Sequence, residues 1–149
     1  MTASGARWAF SNVSEAIWMP LTWLSYMLDY DFARWAGLFD VSVEGRGVAG
    51  VMHAHSVLLH AVNAVLVFLL YARLARRLPG EARSRVMVAL VAALLWAVHP
   101  LRTESVAWIA SRKDVLSLFW ELLAFHAWIG VDGDGRSARV VFIVLCTLQ

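Results

Sequence analysis

Apolar residues along this chain gather into runs rather than alternating with polar ones. Val51–Tyr71 reads VMHAHSVLLHAVNAVLVFLLY and holds no Asp, Glu, Lys or Arg. At 1.5 Å per residue it rises about 31 Å as a helix, enough for a bilayer core. Val86–Val98 is also uncharged but short, so it needs a turn borrowed from 81–85, and Pro100 ends it. Val115–Val131 forms a third run, interrupted by Glu121 and His126, and Val140–Gln149 begins a fourth. The pattern predicts an all-α, polytopic transmembrane helix bundle. Its spans fall at about 51–72, 82–98, 115–131 and 140–149, the last truncated, within one partial membrane domain covering 1–149.

Residues 1–50 contain no such run. Pro20 suits the first turn of a helix over 20–30. There Thr22, Ser25 and Asp29 share one face, bordered by Trp18, Trp23, Tyr26 and Tyr30. Aromatic side chains around a polar seam suit the membrane boundary, so this helix is expected to lie on the outer surface.

Composition agrees with a membrane protein: 60% of residues are hydrophobic and 16% charged, against about 25% charged in soluble domains. A net charge of +2 is too small to suggest nucleic acid. Cys146 is alone, so no internal disulfide forms. The segment 73–85 carries five Arg against Glu81. Basic loops stay cytoplasmic, so this loop faces in, and parity puts residues 1–50 and His99–Asp114 outside. No signal peptide explains that exported N-terminus, and the fourth run is unfinished, so the chain is expected to be a fragment.

The densest chemistry lies in His99-Pro-Leu-Arg-Thr-Glu-Ser-Val-Ala-Trp-Ile-Ala-Ser-Arg-Lys-Asp114. On a helix beginning near Thr103, Glu104, Trp108 and Arg112 would share a face. Arg102, Arg112 and Lys113 are candidate phosphate contacts, and Glu104 a partner for Arg112 or a sugar hydroxyl. The plainer alternative makes Thr103 and Asp114 helix caps and the cations lipid-headgroup anchors. His53, His60 and Asn63 fall along one face of the first span, where polar groups usually point into a bundle or a wet cavity. With His99 they raise the question of zinc, but no metal-site spacing completes a ligand set, so no metal and no cofactor are expected. His55 points elsewhere and reads as structural. Glu121 and His126 lie on different faces and form no dyad.

Three stretches carry a resemblance: Trp18 to Tyr30, His53 to Asn63, and His99 to Ser117. In that order they resemble the membrane part of the transmembrane-and-tetratricopeptide-repeat O-mannosyltransferase family and its bacterial relatives, within the GT-C superfamily. The resemblance covers roughly Arg7 to Val144. It implies an integral-membrane glycosyltransferase, in a bacterial inner membrane, with its active face outside the cytoplasm. A sugar, mannose in the named family, would pass from a polyprenyl-phosphate donor to a protein or lipid acceptor, with membrane lipids around it. The family's acidic pair, expected upstream of the stretch matching Arg7, and its tetratricopeptide repeats have no counterpart in this sequence, so these residues alone are expected to be inactive. The catalytic base is therefore unassigned, with Asp29 and Glu104 as weak candidates. Arg102, Arg112 and Lys113 would steady the leaving phosphate, while His53, His60, Asn63 and His99 shape the pocket. Rival readings are a non-catalytic anchoring module, and a transporter with His53, His60, Glu121 and His126 along its path.

Overall fold

The computed structural model describes residues 2–12, 18–38 and 46–130, and these are helices and short connections without a strand. Helix α1 (Ala3–Ser11) is capped by Thr2, whose hydroxyl oxygen accepts from the Gly5 N–H. Pro20 opens α2 (Pro20–Trp35), which continues five residues beyond the expected end at Tyr30. Its polar seam packs against the rest of the chain: Thr22, Ser25 and Asp29 are all buried.

Helix α3 (Arg46–Ala75) is the axis of the molecule. Its 30 residues rise about 45 Å. Helix α4 (Ala82–Ala97) returns along it. Ala89 and Ala93 are buried in that contact, and side chains this small let two helices approach closely. After α5 (Pro100–Ala107) and a single 3-10 turn (Ile109–Ser111), α6 (Arg112–Gly130) runs parallel to α3. The pairs Arg112 with Ser56, Asn63 with Val115 and Leu66 with His126 fix that direction. Val67, Ala93 and Leu122 form the core where the three long helices meet. The 73–85 segment and the 99–114 connection therefore lie at opposite ends, as their parity requires.

The expected spans at 51–72 and 82–98 fall within α3 and on α4, and 115–131 falls on α6 apart from Val131. Gln149 and the rest of 131–149 lie outside the described residues. Among those described, Gly47–Ala75 is long and apolar enough to cross a membrane, with a mean hydropathy of 2.0. Only 11% of its most apolar window is buried within the chain, so its apolar sides face outward. Alone, the 16 residues of α4 rise about 24 Å. With α5 they make a second candidate span, bent by 57°. Helix α6 is more polar because it starts with Arg112, Lys113 and Asp114 and carries Glu121.

The 99–114 connection departs from expectation. Its helix begins at Pro100, not Thr103, and His99 is the cap, its Nδ1 accepting from the Leu101 N–H at 3.3 Å. Proline at the first helical position accounts for that start. The helix stops at Ala107, Trp108 is extended, and a new helix begins at Arg112. Glu104, Trp108 and Arg112 thus share no face. Asp114 does not cap α6; it lies in its first turn, where a carboxylate meets the positive end of the helix dipole.

Candidate functional site

Two polar clusters occupy the end of the bundle formed by α2, α5 and the starts of α3 and α6. The first is buried. Arg112 is fully enclosed, and a buried guanidinium must be paired and hydrogen-bonded to remain charged. It donates to the Asp29 carboxylate and to the Met52 carbonyl. It also reaches the hydroxyls of Ser25 and Ser56, both at 3.4 Å. Four acceptors on two helices use the planar fork in a way one ammonium would not. The Tyr26 ring lies 4.7 Å beneath the guanidinium, and the Tyr26 hydroxyl donates to the Ile109 carbonyl at 2.5 Å. Burial pushes the Tyr26 hydroxyl above its ordinary value, opposed by the positive charge of Arg112 and reinforced by Asp29. The second oxygen of Asp29 meets His55 Nδ1 at 2.6 Å.

Deeper along α3, Asn63 is also fully buried. Its amide donates to the Val115 carbonyl at 2.8 Å, and its Oδ1 meets no hydrogen-bond partner among the described residues.

The second cluster lines an open cavity of about 250 Å³ between α3, α4 and α5. His53, His60, His99, Arg102 and Thr103 face it. His60 Nε2 lies 3.0 Å from the Ala97 carbonyl. A carbonyl only accepts, so that nitrogen carries the proton and Nδ1 is left as the second ring nitrogen. The His60 ring stacks on Trp96, with centroids 5.6 Å apart, and the Arg102 guanidinium lies 4.8 Å from the Trp96 ring. At Ala97 the cavity adjoins an apolar groove of about 190 Å³ walled by Ala64, Val65, Phe68, Leu90 and Leu94.

The structure thus divides the residues singled out in the sequence. His53, His60, His99 and Arg102 come together, whereas Asn63 turns away from them into the α3–α6 contact. Asp29 and Arg112 meet in the buried cluster, where Arg112 would have to leave its carboxylate to touch a phosphate. Glu104 is exposed on α5 and Lys113 half-buried at the start of α6, and neither joins the Arg112 cluster. His126 bonds the Leu66 carbonyl at 2.9 Å, and Ser117 donates to Glu121 at 3.3 Å. Among the described residues no three His, Cys, Asp or Glu side chains gather to hold a metal ion.

His55, Ser56 and Tyr26 were missed as site residues. Ser56 carried a signal, since it precedes Asn63 by seven residues and so shares its face. For His55 there was none, because its partner lies in another helix.

No family model and no solved structure matches the chain. Curated proteins do. Protein O-mannosyl-transferase TMTC4 of Homo sapiens is 32% identical over 120 residues, 77% of this chain. Tmtc1 of Drosophila melanogaster is 35% identical over 115 residues, and TMTC3 of Mus musculus 32% over 132 residues, 89% of this chain. The chain is a homologue of the TMTC protein O-mannosyl-transferases. It spans 15%, 11% and 12% of the lengths of these relatives. The three stretches that carried the resemblance also meet in space. Asp29 comes from the first, His55, Ser56 and Asn63 from the second, and Arg112 and Val115 from the third.

Proposed function

We propose that this chain is the membrane part of an O-mannosyltransferase of the GT-C type. It takes mannose from a polyprenyl-phosphate donor and passes it to a protein hydroxyl outside the cytoplasm. The observation that carries this reading is the convergence of those three stretches at one end of the bundle, beside a cavity lined by imidazoles and a guanidinium.

In this reading the donor phosphate sits among His53, His60, His99 and Arg102, and the isoprenoid follows the apolar groove that begins at Ala97. The acceptor oxygen attacks the anomeric carbon, the bond from that carbon to the phosphate oxygen breaks, and polyprenyl phosphate leaves. The acceptor's proton goes to a carboxylate base outside this cluster. Negative charge grows on the phosphate as the bond breaks, and donors already in place stabilise it without reorganising. Asp29 serves as a positioning residue rather than the base, because Arg112 and His55 occupy both of its oxygens. The arginine-rich end is cytoplasmic and the histidine-lined end faces out. In a Cys146→Ser background, an impermeant thiol reagent on intact cells should label Glu104→Cys and not Ser84→Cys.

Turnover of the full-length enzyme tests the assignment. Arg102→Ala removes one charge-assisted contact from the leaving phosphate. The rate should fall by about 30- to 1000-fold, or roughly 2–4 kcal/mol. Arg83→Ala, at the opposite end, should leave it unchanged. Equal activity of the two variants at equal membrane expression would remove the phosphate from this cavity.

A further inference from the structure

The opposite end of the bundle holds a second cavity of about 370 Å³, lined by Leu69, Ala72, Arg73, Arg76, Val86 and His126. Its two kinds of wall differ sharply. Arg73 stands in the last turn of α3 and Arg76 just past its end, and Leu69 and Val86 supply an apolar side that continues onto the exposed flanks of α3 and α4. The cationic wall is held in place. Arg73 donates one N–H to the His126 carbonyl at 3.2 Å, and His126 is itself tied to the Leu66 carbonyl. Arg85 donates to the carbonyls of Arg76 and Leu78 at 3.1 and 3.3 Å, folding the connection back over the end of α3. The segment 73–85 carries five Arg against Glu81, so the field at the cavity mouth is positive.

We propose that this cavity binds one anionic phospholipid, with its phosphate on Arg73 and Arg76 and an acyl chain along Leu69 and Val86. A guanidinium pair suits phosphate oxygens, and basic pockets between helices on the cytoplasmic side are suited to anionic headgroups. A lipid fits better than free phosphate because the apolar wall is open to the side, where a chain would run. The site is separate from the histidine-lined cavity and does not depend on transferase activity.

Native mass spectrometry of the full-length protein in detergent reads the bound lipid directly. The probes are phosphatidylglycerol, phosphatidylcholine and inorganic phosphate. Wild type should retain one phosphatidylglycerol in preference to phosphatidylcholine, and millimolar phosphate should not displace it. Arg73→Gln with Arg76→Gln should weaken retention by roughly 10- to 30-fold, about fivefold per Arg. Arg77→Gln with Arg83→Gln makes the same change in charge away from the cavity and should cost less than about threefold. Arg76→Gln alone, which breaks no side-chain hydrogen bond among the described residues, should give about fivefold. Equal losses for the two pairs, equal retention of the two lipids, or displacement by phosphate would each overturn the proposal.

Discussion

The two ends of the bundle treat their charges in opposite ways. At the histidine-lined end, Arg112 is drawn fully inside and matched by Asp29, Ser25, Ser56 and the Met52 carbonyl. At the arginine-rich end, Arg76, Arg77 and Arg83 stay exposed, and Arg85 donates to two backbone carbonyls. The same residue type therefore does different work. A guanidinium paired inside ties helices together and is enclosed out of a ligand's reach, while one left at the surface fixes little and stays available to lipid or phosphate.

Arg112→Ala should give the largest effect. Removing the guanidinium from this buried ion pair leaves the Asp29 carboxylate with His55 but without its cation, and costs about 3–5 kcal/mol. Arg76→Ala should stay within about 0.5 kcal/mol. Thermal unfolding in detergent compares them, and similar midpoints would erase the contrast between the ends. Asp29→Leu combined with Arg112→Met should be less damaging than either single change, because no charge is left unpaired. A double variant as unstable as the sum of the singles would mean that the pair is not coupled. Asn63→Ala should cost about 1–3 kcal/mol, since it removes the bond to Val115 and empties a fully buried site. Tyr26→Phe is milder, about 0.5–1.5 kcal/mol, the worth of its bond to the Ile109 carbonyl. If it proves as costly as Arg112→Ala, the hydroxyl's bond to the Ile109 carbonyl matters as much as the buried ion pair.

What the sequence made legible was local. Length without charge located α3, Pro20 and Pro100 marked helix starts, and the spacing of Thr22, Ser25 and Asp29 identified one shared face, though not that the fold buries it. The shared cavity of His53, His60 and His99 was also within reach of spacing and order. The pairing of Asp29 with Arg112 was not, because 83 residues separate them and no periodicity reports a partner in another helix. Reading 103–114 as one helix placed Arg112 beside Glu104, and the extended backbone at Trp108 undoes that placement. The neighbours that completed the cluster, His55 and Ser56, sit in a run whose apolar character dominates any local reading.

Ser56 and Asn63 have a further effect on α3. Hydrocarbon solvates any apolar side of a helix equally well, so a span of Leu, Val and Ala has little reason to prefer one rotation about its axis. These two fully buried polar side chains, two turns apart, supply the reason. One meets Arg112 and the other the Val115 carbonyl, and together they act as a key in a lock cut by α6. A single residue inserted between Ser56 and His60 would turn the rest of the helix by about 100°. Either the hydrogen bond at Ser56 or the one at Asn63 could then form, but not both, and His60 would swing out of line with His53 and His99.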